Sequence, residues 1–447
     1  MRYERYSKTG IPWLPEVPEG WDFLPLKSLF KSTFSGSWGA DVAQGERGTV
    51  CYRMADFDYE HGVVSDSKLT YRSYKGSELQ GKMLAVGDLL IEKSGGGDVS
   101  PVGRVVRVVS DRRATCSNFI QQVRCRDGIN SSFVCYLFAA LYARRLTRYY
   151  FNQTTGIQNL KVSRYLSVKV PMPSTIIQNA IVSFLDSKCG KIDRLVAAKE
   201  KEVALLKELK QSMIAEAVTR GVDHKSLKVP TGVFWQPRMP IGWSVKKCRH
   251  VLQKLSRPRP QDAELLVCTN KGTVNKRGDA KIGLVSDDET IYQGVAAGDL
   301  LIHGMDTWHG AIAVSEFDGM CTPVVHVCDS AENKAFVAYC FQNMARGKLF
   351  KLISNGVRQN TSDFRSWEKV ARLPLVLPSR DEQDRIVAYI ETRAAKIDAA
   401  VGKLEAEVAA LKEYRERLVA DVVTGQRKVA GSSRTNSGRM ATSGEAR

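Results

Sequence analysis

The sequence lacks most of the short motifs that mark an active site or a metal centre. None of its ten cysteines forms a Cys-x-x-Cys pair, which argues against zinc ribbons and thioredoxin-like redox sites. Its six histidines lie in scattered contexts from which no Ser/His/Asp arrangement can be assembled. No Asn-Pro-Pro-Tyr or Asp-Pro-Pro-Tyr run is present, although amino-methylating enzymes need one to hold an exocyclic amine. We therefore expect a chain without a catalytic site, cofactor or metal ion of its own.

Long apolar runs are missing as well. The longest apolar stretch, near Phe133 to Ala143, is too short to span a bilayer. We also expect no signal peptide, because the first residues lack the pattern of one. We expect a cytoplasmic protein with no membrane partner. In such a reducing compartment, free thiols in apolar runs act as small hydrophobic side chains.

Positive charge, by contrast, is abundant. The net charge is +18 over 447 residues, with a pI of about 9.4. Because Lys and Arg displace counterions from phosphates, this excess favours a nucleic-acid partner, although simple solubility is the alternative. The length suits two or three domains, and a hydrophobic content of 43% is enough for their cores.

Three motifs occur twice, which indicates the duplication of a whole domain plus a long helix. A Trp-x-Pro-x-x-Pro-x-Gly-Trp motif repeats after 222 positions (235 − 13), Gly-Asp-Leu-Leu-Ile after 211 (298 − 87) and Lys-Ile-Asp after 205 (396 − 191). Between the motifs the copies diverge, so a shared scaffold should carry two different surfaces for two ligands of one kind. The repeated segments are Trp13–Trp21 and Trp235–Trp243, Gly87–Ile91 and Gly298–Ile302, and Lys191–Asp193 and Lys396–Asp398.

Two long helices are predicted over residues 174–219 and 379–424, because both segments are rich in Ala, Leu, Lys and Glu and contain no internal proline. Apolar residues recur in alternating steps of four and three, the pattern of paired supercoiled helices. Lys210 and Arg415 interrupt the two seams at equivalent places, either to fix the register or to extend to solvent. The predicted helix-pairing residues are Ile192, Val196, Leu206, Met213, Ile397, Val401, Leu411 and Leu418.

A helix of this length cannot bury its seam alone, and its simplest partner is its own copy. We predict an α+β fold in which two similar globular domains are separated by two long antiparallel helices that form a coiled coil with pseudo-twofold symmetry. The predicted segments are a first globular domain at 1–173, a helical spacer at 174–221, a second globular domain at 222–378, a second spacer at 379–426 and a disordered tail at 427–447.

The loops that follow the Gly-Asp-Leu-Leu-Ile strands are predicted to contact nucleic acid, since polar, basic and aromatic groups there can bind phosphates or base edges. Plain flexible loops are the alternative, and His303, Asp306 and His309 also allow a metal site. The Asp88–Lys93 segment resembles a nuclease acid cluster only weakly. The candidate DNA-binding residues are Lys93, Ser94, Gly95, Arg148 and Lys161 in the first domain and His303, Asp306, Trp308, Arg358 and Arg365 in the second.

With these residues in view, the chain resembles the specificity subunits of Type I restriction–modification systems over nearly its whole length. The most specific shared features are the two Trp-to-Trp motifs, the Gly-Asp-Leu-Leu-Ile strands and the Pro-x-x-x-x-Gln helix starts that lead to Lys-Ile-Asp. Gln178 and Gln383 hold the Gln position. The first helix departs from the family pattern, because Thr-Ile-Ile precedes its Gln where the second helix keeps Arg-Asp-Glu.

The resemblance implies a non-catalytic subunit with two target recognition domains. Each domain would read one half of a split, asymmetric sequence in double-stranded DNA, and the paired helices would set the gap between the half-sites. Two modification (methyltransferase) subunits would dock on the helices, and restriction subunits would join them. S-adenosylmethionine, ATP and Mg²⁺ are then expected only on those partner subunits.

Two other classes of function stay open on the residues alone. A duplicated nuclease or methyltransferase would turn over DNA without any other subunit. A coiled-coil adaptor would bind only protein and would show no specific DNA binding at any salt concentration. Salt dependence distinguishes a DNA-recognition protein from such an adaptor. Phosphate contacts make the DNA affinity of a recognition protein fall steeply with ionic strength.

Overall fold

A computed structural model describes residues 2–154, 156–223, 225–278, 289–354 and 364–429 of the chain. The chain divides into two compact units, one of residues 1–199 and 406–447 and one of residues 200–405. Each unit contains one module of short strands and helices together with a part of both long helices. The predicted α+β architecture, with two long helices packed against each other, is confirmed. The predicted domain boundaries stay a prediction, and residues 430–447 of the predicted tail lie outside the described residues.

The first module consists of short strands, one helix of 13 residues and one shorter helix. Its elements are β1 (Tyr6–Ile11), β2 (Leu14–Pro18), β3 (Asp22–Pro25), β4 (Phe30–Ser35), β5 (Thr49–Tyr52), β6 (Phe57–Asp58), β7 (Val63–Val64), β8 (Tyr71–Arg72), β9 (Leu89–Glu92), β10 (Ser94–Gly95), β11 (Val105–Arg107), β12 (Ala114–Cys116), β13 (Ile120–Cys125), α1 (Ser131–Ala143), β14 (Phe151–Thr154), β15 (Ile157–Leu160), α2 (Val162–Tyr165) and β16 (Lys169–Met172). The main sheet has the order β4-β13-β9-β11-β7-β6, in which only β11 and β7 run parallel.

The second module repeats this plan with a smaller main sheet. The long helix α3 (Thr175–Arg220) precedes β17 (Lys228–Pro230), β18 (Arg238–Pro240), β19 (Ser244–Lys247), β20 (Gln253–Leu255), β21 (Leu266–Cys268), β22 (Val274–Lys276), β23 (Gln293–Val295), β24 (Leu300–His303), β25 (Ile312–Val314), β26 (Gly319–Cys321), β27 (Val325–Asp329), α4 (Lys334–Arg346), α5 (Leu349–Leu352), α6 (Trp367–Ala371), β28 (Pro374–Leu377) and α7 (Arg380–Val423). Its main sheet has the order β20-β27-β24-β25, and all of its strand pairs are antiparallel.

The repeated Gly-Asp-Leu-Leu-Ile segment forms a strand that is buried on both faces. In β9, Leu89 and Ile91 pack in the cluster that contains α1, while Leu90 lies in a second cluster on the opposite face. In β24 the corresponding residues divide in the same way between two clusters. Successive strand residues point to opposite faces, so a strand covered on both sides needs a continuous apolar run rather than an alternating one.

The repeated Pro-x-x-x-x-Gln segment joins the start of each long helix to its module. Gln178 is 3% exposed; it donates to the Pro173 carbonyl at 2.8 Å and accepts from the Asn130 backbone N–H at 2.9 Å. Gln383 makes the equivalent bonds to the Pro378 carbonyl and to the Asn333 N–H. Both asparagines are N-cap residues, one of α1 and the other of α4. One buried amide therefore satisfies the backbone at two helix starts, which explains the Gln in each copy.

The two long helices run antiparallel. In the first unit, Lys199 of α3 pairs with Glu407 of α7; in the second, Lys207 of α3 pairs with Glu405. Partner numbers thus decrease along α7 as they increase along α3. Every predicted helix-pairing residue is buried or half-buried. Among the described residues, no helix has both the length and the apolar composition that a bilayer crossing requires.

The two polar seam residues bind the aspartates of the repeated Lys-Ile-Asp motif. Arg415 Nε lies 2.7 Å from Asp193 Oδ1 in the first unit, and Lys210 Nζ lies 2.6 Å from Asp398 Oδ2 in the second. Arg415 also donates to the Glu60 carbonyl of the first module at 2.7 Å. Both cations therefore reach across to the opposite helix, which favours a role in fixing the register over simple extension to solvent.

Replacing Arg415 with Gln should destabilise the first unit much more than an equivalent change at the surface. The side chains of Arg415 and Asp193 are 22% and 13% exposed, so the variant leaves a largely buried carboxylate without its hydrogen-bonded cation, at a cost of about 1–3 kcal/mol. The control is Lys207→Gln, because the Lys207–Glu405 pair is 59% and 54% exposed and should contribute less than about 0.5 kcal/mol. Urea unfolding measures both values. Equal losses would contradict a role for Arg415 in the seam.

Candidate nucleic-acid interface

The first tip of the candidate interface is a small sheet formed by β10, β15 and β14. Ser94 pairs with Asn159 across this sheet, and its hydroxyl donates to the Asn159 side-chain oxygen at 2.7 Å. The Leu160 N–H donates to the Lys93 carbonyl at 2.8 Å. The predicted residues Lys93, Ser94 and Gly95 therefore lie along one edge of the β14–β15 hairpin. We call this small sheet the first tip.

The remaining predicted residues of the first module lie at the base of the same hairpin. The Lys161 N–H donates to the Tyr150 carbonyl at 2.6 Å, and Arg148 lies in the short helical turn before Tyr150. Gly103 lies between β10 and β14 in the sequence, and it is so close to this turn that a Cβ atom would fall 2.7 Å from the Thr147 methyl. Both Arg148 and Lys161 are exposed. The structure thus places the candidate residues of the first module within one continuous region.

The second tip follows β24 and is built differently. We define it as residues 303–310. His303 Nδ1 accepts from the Asp306 N–H at 3.1 Å and lies 3.3 Å from the Asp306 carboxylate. The Trp308 indole N–H donates to the Ser354 hydroxyl at 3.3 Å, and Lys351 Nζ lies 5.8 Å from the centroid of the Trp308 ring. A cation and an aromatic ring therefore meet at the side of this tip.

Arg365 reaches the second tip from a distant part of the sequence. The Phe364 N–H donates to the Gly304 carbonyl at 3.1 Å, and a Cβ atom on Gly304 would lie 2.9 Å from the Arg365 Cα. Arg365 is exposed, so its guanidinium is available to a ligand. Four of the five candidates in the second module are thus placed around the second tip. The fifth, Arg358, lies outside the described residues.

Sequence reasoning missed His326, which binds the backbone of the segment that brings Arg365 to the second tip. His326 is 2% exposed on β27, and its Nε2 lies 2.7 Å from the Phe364 carbonyl, to which it donates. The Trp367 ring packs edge-on against it, with ring centroids 5.6 Å apart. Burial lowers the pKa of His326 and also that of His303. A single His within an apolar strand was the available signal, but its partner lies 38 positions away.

Within the described ranges, no group of three or more His, Cys, Asp or Glu side chains is arranged to hold a metal ion. His303 and Asp306 contact each other, while His309 is exposed. All ten cysteines are free thiols, and most are buried. Burial raises the pKa of Cys268, Cys321 and several other thiols to about 12, which disfavours thiolate chemistry.

The acidic residues near the first tip have separate structural partners. Asp88 receives two hydrogen bonds from Arg124, each of 2.7 Å. Glu92 is buried beside Arg104, with 3.5 Å between Glu92 Oε2 and Arg104 Nε, and burial raises its pKa. Lys93 Nζ donates to the Ser35 hydroxyl at 2.6 Å. Because these side chains take different partners, the geometry gives no support to a nuclease-like cluster here.

Comparison with known proteins assigns the fold. No protein-family model matches the chain. A chain from a structural study of complex assembly and conformational transition of the type I R-M system aligns with a TM-score of 0.67 and 14% identity, covering 92% of this chain and 99% of that one. The HsdS subunit from Thermoanaerobacter tengcongensis aligns with a TM-score of 0.48 and 14% identity, covering 92% and 98%. The S subunit of the Type-I restriction-modification system from M. genitalium aligns with a TM-score of 0.35 and 12% identity, covering 93% and 97%.

The first of these alignments shows that this chain shares its fold with a chain of a type I R-M system. The resemblance indicated by the sequence motifs is therefore confirmed at the level of the fold. The roles of the individual tip residues stay predictions, since an identity of 14% does not transfer residue functions.

The second unit should lose stability as the pH falls below about 6.5, the ordinary pKa of histidine. Burial lowers the pKa of His326, so the unfolded chain takes up the proton first, and the free energy of unfolding decreases by up to about 1.4 kcal/mol per pH unit for this group. The variant His326→Gln keeps a donor but cannot titrate, and should show a flatter pH dependence. Urea unfolding between pH 5 and 8 measures it.

The matched control for this experiment is His250→Gln, which removes an exposed imidazole from the same unit. It should leave the pH dependence of unfolding close to that of the original chain. If His326→Gln and His250→Gln behaved alike, the buried imidazole would have no part in the acid sensitivity of the second unit.

Proposed function

We propose that this chain is a non-catalytic DNA-recognition subunit of a Type I restriction–modification complex. The observation that carries the proposal is the duplicated scaffold with two different tips, each flanked by exposed basic residues. The fold shared with a type I R-M chain and the net charge of +18 support it. Turnover of DNA by the pure chain with Mg²⁺ and S-adenosylmethionine would contradict it.

In this proposal each tip reads one half of a bipartite, asymmetric target. The first tip is a glycine-containing β-ribbon, whereas the second presents an imidazole, a carboxylate and an indole. Hydrogen-bonding groups of such different kinds match different patterns of donors and acceptors on base edges. The two half-sites should therefore differ in sequence, and the whole target should not be a palindrome.

In this proposal the long helices set the distance between the two half-sites that the tips read. A continuous helix of 46 residues rises about 69 Å at 1.5 Å per residue, which makes it a suitable spacer. Interhelical ion pairs in both units restrict sliding of α3 along α7. The gap between half-sites follows from such a geometry, as it does in DNA-binding dimers.

The outer faces of the helices offer a surface for partner subunits. In the first unit, Leu195 of α3 and Tyr414 of α7 are 46% and 48% exposed; in the second, Leu205 and Leu209 of α3 are 54% and 56% exposed. Large apolar side chains on a mainly charged helix are typical of docking surfaces. We infer that two modification subunits dock here and that restriction subunits join them. S-adenosylmethionine, ATP and Mg²⁺ would be bound by those subunits, in the cytoplasm.

Replacing residues 30–165 with the corresponding segment of another such subunit should change one half-site and leave the other intact. The physical reason is that the first tip lies entirely within the exchanged segment, whereas the second lies outside it. Mapping the methylated sites in cells that also carry the partner subunits measures the outcome. The reciprocal control exchanges the second module. A single exchange that altered both half-sites would overturn modular reading.

Lengthening both helices by seven residues should widen the permitted gap by about three base pairs. Seven residues add about 10 Å and two full turns of the seam, so the apolar faces stay in phase. The insertions belong after Lys199 in α3 and between Glu405 and Glu407 in α7, at facing positions of the pair. Methylation mapping again gives the gap.

A matched control inserts seven residues into α3 alone. This variant breaks the pairing of the remaining seam and should lose stability and specific methylation rather than gain a new gap. If the doubly lengthened chain kept the original gap, the helices would not set the distance between half-sites.

A further inference from the structure

Two cations occupy equivalent strained positions, one in each module. Among the described residues, the non-glycine residues with positive φ are Arg145 (57°), Asp262 (55°) and Lys348 (58°). Arg145 and Lys348 are 203 positions apart (348 − 145), the same shift that relates the N-caps Asn130 and Asn333 (333 − 130). They follow the ends of α1 and α4, where glycine is the usual residue because left-handed backbone is unfavourable for other L-residues.

Glycine would relieve this strain in both copies, and the second copy even has one at the adjacent position, Gly347. The left-handed conformation nevertheless falls on the cation in each module. Strain that persists at equivalent residues of diverged copies points to a function rather than to chance. Packing does not explain it, because Arg145 and Lys348 are both exposed.

A second cation follows three residues later in each copy. Arg148 and Lys351 are also 203 positions apart (351 − 148), and both are exposed. We call Arg145 with Arg148, and Lys348 with Lys351, the basic pairs. None of these four side chains forms an ion pair with a carboxylate in the described part of the chain. Their charges are therefore available to an external anion.

Each basic pair lies beside the tip of its own module. In the first module, Arg145 and Arg148 line an open cleft of about 440 Å³ whose other charged residues are Arg104, Arg415 and Glu416. The turn that carries Arg148 contacts Gly103, and a Cβ atom on Gly103 would also lie 3.7 Å from the Leu160 side chain of the first tip. In the second, Lys351 lies over the Trp308 ring of the second tip. The shared basic pairs and the unshared tips therefore belong to the same face of each module.

We propose that the two basic pairs are duplicated phosphate contacts that hold the DNA backbone without regard to sequence, while the tips discriminate bases. This inference rests on the proposed DNA-recognition function and adds which residues supply affinity rather than specificity. Its basis is that positive charge is the property retained at these positions, whereas the hydrogen-bonding groups of the tips are not retained. Contacts to phosphates position a protein on DNA and carry no sequence information directly.

The first test measures DNA binding of the full chain by fluorescence anisotropy with a short duplex of random sequence. The variants are Arg145→Gln with Arg148→Gln, and Lys348→Gln with Lys351→Gln. Each double variant should reduce the slope of log affinity against log salt by up to about 1.8, since each lost phosphate contact removes about 0.9. The matched control is Lys188→Gln with Lys191→Gln, which removes an exposed pair of the same spacing from α3 and should leave the slope unchanged.

The second readout is the sequence preference. The original chain and each double variant select duplexes from a random pool, and all should recover the same preferred sequence because only backbone contacts are lost. A changed preference, or a salt slope equal to that of the Lys188/Lys191 control, overturns the inference and leaves the proposed function standing. If the original chain bound no DNA at any salt concentration, the proposed function itself would fail.

Single glycine variants separate strain from packing. Arg145→Gly and Lys348→Gly should keep or raise the melting temperature, because glycine adopts left-handed backbone freely, and should weaken DNA binding at the same time. A clear drop in melting temperature would mean that these side chains are retained for the fold, which would contradict a role as phosphate contacts.

Discussion

The apolar seam of each long helix is the constraint on which the rest of the molecule depends. A helix of 46 residues with a continuous apolar stripe is not stable alone in water, and here the stripe is covered by the second copy of the same helix. Hydrophobic contact alone would allow the helices to slide by a heptad. Two ion pairs oppose such a slip, Arg415 with Asp193 and Lys210 with Asp398. A slip by one heptad would separate the partners and leave a half-buried charge unpaired in each place.

The modules show how one physical requirement is met by different residues after duplication. Each buried Asp that opens a Gly-Asp-Leu-Leu-Ile strand needs a cation, since an unpaired buried carboxylate is costly. In the first module the cation is Arg124, whereas in the second it is Arg257, which bonds Asp299 with both terminal nitrogens. The Asp is therefore kept at the same position in both modules, whereas its Arg partner comes from a different part of the sequence in each. A scaffold that tolerates such replacement can also vary the loops that it supports.

These examples also mark what could be read from the sequence. Local patterns predicted the long helices, their seam and the Gly-Asp-Leu-Leu-Ile strands, because periodicity and proline placement act over a few residues. They could not predict that Arg124 binds Asp88 or that His326 binds the Phe364 carbonyl, since sheet order and loop crossings bring these groups together. The sequence places Lys93, Ser94 and Gly95 just after a strand, but their position beside Asn159 and Leu160 depends on the β10–β15 pairing. The left-handed backbone at Arg145 could not be predicted, because glycine is the usual sequence signal for this conformation and none stands there.

The difference between phosphate contacts and base contacts explains why two copies of a DNA-recognition domain would keep their basic residues and diverge in their tips. A cation on a phosphate adds nearly the same affinity to every DNA sequence, so its loss weakens all targets together and its retention constrains none of them. A group on a base edge adds affinity to one sequence at the expense of others. In the proposed reader, selection for a new target can therefore change the tips freely, provided that the shared basic pairs keep the DNA backbone in place. Positive charge is retained at equivalent positions beside unlike tips, as this division of contacts predicts.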